Sequence, residues 1–143
     1  MRVVLDTNIL ISALITQGTP PDLLYQACLR GEHELITSTE QIAETAEVLA
    51  RPKLQRILNT DESAAIIENL NTRATVMPAL PPVTISPDPK DNHIIAAAIA
   101  GNADMIVSGD KKDVLSLRDS IGIPIVTARH AVERINKPRS RKP

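Results

Sequence analysis

Short β-branched runs alternate with longer segments of helical periodicity along the whole chain. The runs predict five strands, at residues 3–5, 35–37, 74–77, 105–108 and 123–126. The segments between and after them predict helices at 9–15, 22–30, 39–50, 61–71, 91–100, 114–117 and 129–136. Strands that are separated by helices throughout imply right-handed crossovers and a parallel sheet with helices on both faces. The pattern therefore predicts a three-layer α/β/α sandwich around a sheet of about five strands.

Prolines and glycines mark the boundaries between these elements. Gly31 ends the second predicted helix, and Pro52 breaks the helical pattern that precedes it. Residues 78–89 hold five of the eleven prolines. They predict an ordered, extended loop, because neither flank is large enough to bury a core alone. We therefore expect one domain over residues 1–136, followed by a disordered tail at 137–143.

The composition is that of an ordinary globular chain. Of the 143 residues, 43% are hydrophobic and 23% are charged. No apolar run reaches the roughly 18 residues that a membrane-spanning helix needs, so we expect no membrane association. The single cysteine, Cys28, cannot form an internal disulfide, and we expect it to be a small core residue of a cytoplasmic protein.

Aromatic content and charge distribution narrow the possible functions. Tyr25 is the one aromatic residue, which argues against modules that stack nucleic-acid bases on aromatic rings. The net charge is -1, but residues 137–143 carry four of the sixteen basic residues and no acid. This basic tail either attracts RNA electrostatically or has no role.

Three acids stand at equivalent places relative to the predicted strands. Asp6 follows the first strand, Asp110 follows the fourth, and Asp91 begins the helix after the third. Each alone could be a helix cap or a turn residue. Together they should lie at the carboxyl edge of the sheet, where their mutual repulsion favours a bound cation. Oxygen-only ligands favour Mg²⁺ or Mn²⁺ over Zn²⁺.

A fourth ligand is not determined by the pattern of the predicted 39–50 helix. One stripe of this helix is apolar and comprises Ile42, Ala46 and Leu49. The opposite stripe is acidic and comprises Glu40, Glu44 and Glu47. The spacing favours a solvated acidic face and does not select one glutamate. His93, two residues after Asp91, is a candidate for a phosphate or metal contact. We expect it to be solvated instead, because a helix places residues two apart on different faces.

Three segments carry a resemblance to a known family. They are VVLDTNILISALI at 3–15, TSTEQIAETAEVLARPKL at 37–54 and DPKDNHIIAAAIAGNADMIVSGDKKDVL at 88–115. In this order and spacing they resemble PIN-domain ribonucleases of the VapC-like kind, found as toxins of type II toxin–antitoxin pairs. The resemblance implies a sheet with strand order 3-2-1-4-5.

The resemblance also implies a set of site residues. The acidic quartet would be Asp6, Glu44, Asp91 and Asp110, where the family pattern selects Glu44 by placing it six residues after Ser38. The supporting residues would be Asn8, Ser108, Asp88 and Asp113. One departure affects Asp113: the usual Gly-Asp-Lys-Asp-Leu-Leu run carries an extra lysine here. Lys111 and Lys112 either contact RNA phosphates or are solvated loop charges.

The implied activity is hydrolysis of RNA phosphodiester bonds with Mg²⁺ or Mn²⁺ as cofactor. Asp6, Asp91 and Asp110 would hold the metal, and Glu44 would be a further ligand or would orient water. The family also implies 5′-phosphate and 3′-hydroxyl products, an antitoxin partner and a homodimer.

Two other functional classes remain as alternatives. One is a non-catalytic binding module that keeps the PIN fold. The other is a receiver-like phosphoacceptor domain, which needs an acidic pair after the first strand, an Asp after the third and a Lys after the fifth. The sequence here places Thr7-Asn8, Pro78 and Thr127-Ala128-Arg129 at those positions, which disfavours the receiver.

Overall fold

The computed structural model describes residues 1–81, 92–109 and 122–136, and its elements alternate as predicted. The strands are β1 (Arg2–Leu5), β2 (Glu34–Ser38), β3 (Thr75–Met77), β4 (Met105–Val107) and β5 (Ile125–Val126). The helices are α1 (Thr7–Ile15), α2 (Pro20–Leu29), α3 (Thr39–Leu49), α4 (Pro52–Gln55), α5 (Thr60–Thr72), α6 (Asn92–Ala100) and α7 (Ala128–Asn136). The predicted helix at 114–117, the tail at 137–143 and residues 82–89 of the proline-rich loop lie outside the described residues.

The strands form one parallel sheet in the order β3-β2-β1-β4-β5. This confirms the predicted fold class and strand order. β1 lies in the middle, with Val4 opposite Ile36 of β2 and Ile106 of β4. Along the chain, β2 and β3 lie successively further out on one side of β1, and the later strands β4 and β5 lie on its other side. The strand order therefore reverses between β1 and β4.

Successive strand residues point to opposite faces, and the core accordingly divides in two. Val3 and Leu5 pack against one group of helices, which consists of α1, α2, α3, α4, α5 and α7. Val4, together with Ile36 and Ile106, packs against α6 on the other face. The three layers thus follow directly from the alternation along short, fully buried strands.

Two helices begin at prolines that the sequence pattern treats as breaks. α2 begins at Pro20, two residues earlier than predicted, and Pro52 begins the short helix α4. Proline is tolerated in the first turn of a helix because the N–H groups there have no intrahelical partner. The helix before Pro52 does end, at Leu49, as predicted, and the helix that begins at Pro52 was not predicted.

The buried face of α3 also differs from the predicted apolar stripe. Leu49 is buried as expected, but Ala46 is exposed, and Gln41 and Thr45 are buried instead. Gln41 Nε2 donates to the backbone oxygen of Leu5 at 2.6 Å, while Gln41 Oε1 accepts from the hydroxyl of Thr37 at 2.5 Å. These polar contacts attach α3 to β1 and β2.

Among the described residues the longest helix is α5, with 13 residues. None of the described helices combines the length and apolar character that a bilayer span requires.

Candidate active site

Asp6 lies at the carboxyl edge of the sheet, directly after β1, and is the N-cap of α1. Its Oδ1 accepts a hydrogen bond from the Ile9 backbone N–H at 2.9 Å, and its Oδ2 accepts one from the Ser108 hydroxyl at 2.6 Å. Ser108 directly follows β4 and is buried. Asp6 and Ser108 therefore meet where the strand order reverses, the place at which open parallel sheets bind ligands.

Burial raises the pKa of the Asp6 carboxyl above its ordinary value. The hydrogen bond from Ser108 acts in the opposite direction, as do those from the backbone N–H groups of Ile9, Gly109 and Asn8. These donors are aimed at the ionised carboxylate and only partly offset the loss of solvation. A nearby cation would further stabilise the ionised form.

Glu44 is half-buried and contacts side chains of two other helices. Its Oε1 accepts a hydrogen bond from the hydroxyl of Thr7, the residue after Asp6. Its Oε2 lies 3.3 Å from Nε2 of His93, in the first turn of α6. The side chains of His93 and Glu44 are 17% and 31% exposed. Since α1 and α3 cover one face of the sheet and α6 covers the other, Glu44 joins the two helical layers at the rim.

Of the residues that the sequence nominated, the structure places Asp6 and Ser108 in direct contact. Glu44 contacts Thr7, the residue next to Asp6. Asn8 is exposed in the first turn of α1, and its backbone N–H is directed at the Asp6 carboxyl. The remaining nominated residues, Asp88, Asp91, Asp110, Lys111, Lys112 and Asp113, lie outside the described residues. Within residues 1–81, 92–109 and 122–136, no three acidic, histidine or cysteine side chains form a metal-binding group.

Sequence reasoning missed Thr7 and misplaced His93. The expectation of a solvated His93 was wrong, because the ring is largely buried against Glu44. That expectation considered the faces of one helix, whereas the contact joins two helices from different layers. Adjacency to Asp6 was the one signal in the sequence that pointed to Thr7.

A match to a known family model covers most of the chain. Residues 2–112 match the PIN domain model, a range that contains all four acids of the nominated quartet. The chain belongs to the PIN domain family. PIN domains are generally nucleases, and this membership leaves the receiver-like alternative without support.

Other proteins are similar to this chain along most of their length. An uncharacterised protein of Methanocaldococcus jannaschii, MJ1680, is 28% identical over 148 residues, covering 96% of this chain and 93% of the relative. A PilT N-terminus domain protein from Sulfolobus solfataricus superposes with a TM-score of 0.58 at 12% identity, with full coverage of both chains. VapBC-1 from nontypeable Haemophilus influenzae superposes with a TM-score of 0.56 at 17% identity, covering 90% of this chain and 99% of that one. At these identities the structures show a shared fold.

The oxygen atoms available as metal ligands in the described part of this PIN domain site suit a hard divalent cation. Asp6 and Glu44 contribute carboxylate oxygens, and Thr7 and Ser108 contribute hydroxyl oxygens around them. Oxygen donors of this kind suit Mg²⁺ and Mn²⁺, whereas a structural Zn²⁺ site would require several Cys or His ligands.

Proposed function

We propose that this PIN domain is a metal-dependent endoribonuclease that hydrolyses RNA phosphodiester bonds with Mg²⁺ or Mn²⁺. The observation that carries the proposal is the Asp6 carboxylate, which is partly buried at the switch point of the sheet and hydrogen-bonded by Ser108. Thr7 links it to a second carboxylate, Glu44. Carboxylates at such an edge, in a family whose members are generally nucleases, support metal-assisted hydrolysis.

The other two acids of the proposed quartet directly adjoin residues of the described site. Asp91 precedes Asn92, the first residue of α6, whose next residue His93 contacts Glu44. Asp110 follows Gly109, whose backbone N–H hydrogen-bonds the Asp6 carboxyl. These connections support the proposal that Asp91 and Asp110 complete the metal site.

The divalent ion, when bound, lowers the pKa of a water and stabilises the charge on phosphoryl oxygens. The chain itself supplies rigid ligands. Three backbone N–H groups and the Ser108 hydroxyl hold the Asp6 carboxylate, so little reorganisation is needed when charge develops nearby. Glu44 is a further ligand or orients water. Asn8, Asp88 and Asp113 would support the quartet, and Lys111 and Lys112 would contact RNA phosphates.

The replacement Asp6→Asn tests this proposal. Asparagine caps a helix as well as aspartate does, so the variant should fold. We expect Mn²⁺-dependent cleavage of RNA to fall at least about a hundredfold, because changing even the residues that support a metal ligand costs 10- to 100-fold. The wild type should also lose activity in EDTA.

A matched control is Asp61→Asn, at an exposed position in the first turn of α5. This variant should cleave RNA like the wild type. Equal cleavage by Asp6→Asn, or wild-type cleavage that persists in EDTA, would contradict the proposal. A wild type that binds Mn²⁺ in calorimetry but cuts no RNA would instead favour the non-catalytic binding module.

We also propose that the chain is the toxin of a type II toxin–antitoxin pair, that it acts in the cytoplasm and that it forms a homodimer. The support is the resemblance of the three segments to VapC-like toxins and the shared fold with VapBC-1. Induced expression of the wild type should arrest bacterial growth, whereas Asp6→Asn should not. Rescue by co-expression of a small neighbouring reading frame would identify the antitoxin, and light scattering would give the oligomeric state.

A further inference from the structure

The carboxylate of Glu44 is held on both of its oxygens by side chains of this chain. Thr7 donates its hydroxyl to Oε1, and the His93 ring lies 3.3 Å from Oε2. Thr7 is itself buried, at the start of α1. The three residues come from α1, α3 and α6, and we call them the Glu44 clasp.

The His93 ring is buried in a way that calls for an explanation. Both ring nitrogens are inaccessible to solvent, and neither makes a hydrogen bond of good geometry to a residue that the structure describes. Leaving a buried polar atom without a hydrogen bond is unfavourable, and such groups are rare in folded proteins. Within residues 1–81, 92–109 and 122–136, the polar contact of the ring is the one with Glu44. An apolar side chain would fill the same space without this penalty.

The clasp also restricts a side chain that is otherwise flexible. Glutamate has three rotatable side-chain bonds, and a helix position fully exposed to solvent places few restrictions on them. The clasp instead directs Glu44 toward the residue next to Asp6. Orienting a ligand before the metal binds lowers the entropic cost of binding and keeps the reacting groups aligned.

We propose that Thr7 and His93 are positioning residues that hold the Glu44 carboxylate at the cation site. This inference rests on the proposed nuclease function and adds two residues to it. Neither residue belongs to the acidic quartet, and both act through Glu44.

Paired substitutions test the two positions. Thr7→Val removes the hydroxyl at constant shape, whereas Thr7→Ser keeps it. His93→Leu removes the polar contact, whereas His93→Gln keeps a nitrogen donor near the position of Nε2. We expect Thr7→Val and His93→Leu each to weaken Mn²⁺ binding about 10- to 100-fold in calorimetry. Thr7→Ser and His93→Gln should recover most of that affinity.

RNA cleavage gives a second measurement, and a distant histidine gives the control. The same two damaging variants should lower kcat while KM for RNA stays near the wild-type value, because the clasp orients a metal ligand and does not contact RNA. His33→Ala is the matched control: His33 lies just before β2 at the opposite edge of the sheet and contacts the N-terminal ammonium group. It should leave Mn²⁺ affinity and kcat unchanged.

Two results of these binding measurements would overturn the inference. One is wild-type Mn²⁺ affinity in both Thr7→Val and His93→Leu. The other is an equal loss in the conservative and the damaging variants together with lower melting temperatures, which would assign the clasp to packing alone.

Failure of the nuclease proposal is recognisable separately, by a wild type that neither binds Mn²⁺ nor cleaves RNA. In that case the contact between Glu44 and His93 is tested by NMR, through the ¹⁵N resonances of the histidine rings. Glu44→Gln should shift those of His93 and leave those of His33 and His130 in place. An unchanged His93 resonance would overturn the clasp whatever the activity.

Discussion

Asp6, which is partly buried, and Cys28, which is buried, are titratable side chains with very different surroundings. Burial raises the pKa of both groups, and it raises that of the Cys28 thiol to about 12. Asp6 is surrounded by hydrogen-bond donors from Ser108 and the backbone, while Cys28 packs in the apolar core. The donors allow Asp6 to carry charge, whereas the apolar surroundings keep Cys28 neutral.

The state of Cys28 leads to a prediction about its reactivity. At pH 8 the native thiol should be almost fully protonated and should react with a disulfide reagent such as DTNB far more slowly than in urea. Because the folded pKa lies above the ordinary value of 9.0, the thiol favours the folded state below pH 9. That contribution is lost as the pH rises from 9 toward 12. Equal rates in buffer and urea at pH 8 would refute the buried position.

The elements of this fold are joined by polar contacts as well as by the apolar core. α3 attaches to β1 and β2 through the amide of Gln41, in spite of an apolar stripe that would place other residues inside. This attachment turns Glu44 toward Thr7 and His93 and leaves Glu40 and Glu47 exposed.

Gln41→Leu should therefore be strongly destabilising although leucine is the better helix former. The variant leaves the Leu5 carbonyl and the Thr37 hydroxyl buried without this partner, at about 1–3 kcal/mol for each unsatisfied group. Urea unfolding measures the loss. Gln26→Leu, at an exposed position of α2, is the control and should stay within about 0.5 kcal/mol of the wild type. Similar stabilities of the two variants would contradict the assigned role of Gln41.

The approach of α6 to the sheet depends on Gly101, just past the end of the helix. A Cβ built at this position would lie 2.6 Å from Ile36 Cγ2, which belongs to a strand in the core. Gly101→Ala should cost about 1–3 kcal/mol through overpacking, measured by thermal unfolding. Gly109→Ala, where a Cβ would meet nothing within 4 Å, should be much milder. A Gly101→Ala variant that is as stable as the wild type would show that α6 can shift freely. That result would also weaken the case for the Glu44 clasp.

At the scale of the whole molecule, the proposed metal site connects both helical layers at one edge of the sheet. Asp6 and Glu44 belong to the side of α1 and α3, and His93 belongs to α6. A ligand that binds only where these parts meet should stabilise the fold as a unit.

Mn²⁺ should therefore raise the melting temperature of the wild type. At a hundred times its dissociation constant the stabilisation is about 2.7 kcal/mol. For a chain of this size that corresponds to roughly 5–10 °C in differential scanning fluorimetry. Asp6→Asn should show little of this shift at the same ionic strength. An equal shift in both proteins would point to non-specific ion effects.

Much of the architecture could be predicted because it depends on local features of the chain. Short β-branched runs and intervening helical periods predicted the five strands, and the acid directly after β1 predicted one end of the site. The helix starts at Pro20 and Pro52 were harder to predict from the sequence. A proline is compatible both with the end of one helix and with the first turn of the next. The family resemblance, and not the spacing, selected Glu44 among three glutamates.

The sequence by itself determined the order of elements, the parallel sheet and the position of Asp6 at its carboxyl edge, since these follow from periodicities of two and 3.6 residues and from strand ends. Only the tertiary structure decided which face of α3 is buried and that Thr7 and His93 meet Glu44. The reason is that hydrogen bonds such as that between Gln41 and Leu5 join residues 36 positions apart. No pattern within a single helix records such a contact, because its partners come from different layers of the fold.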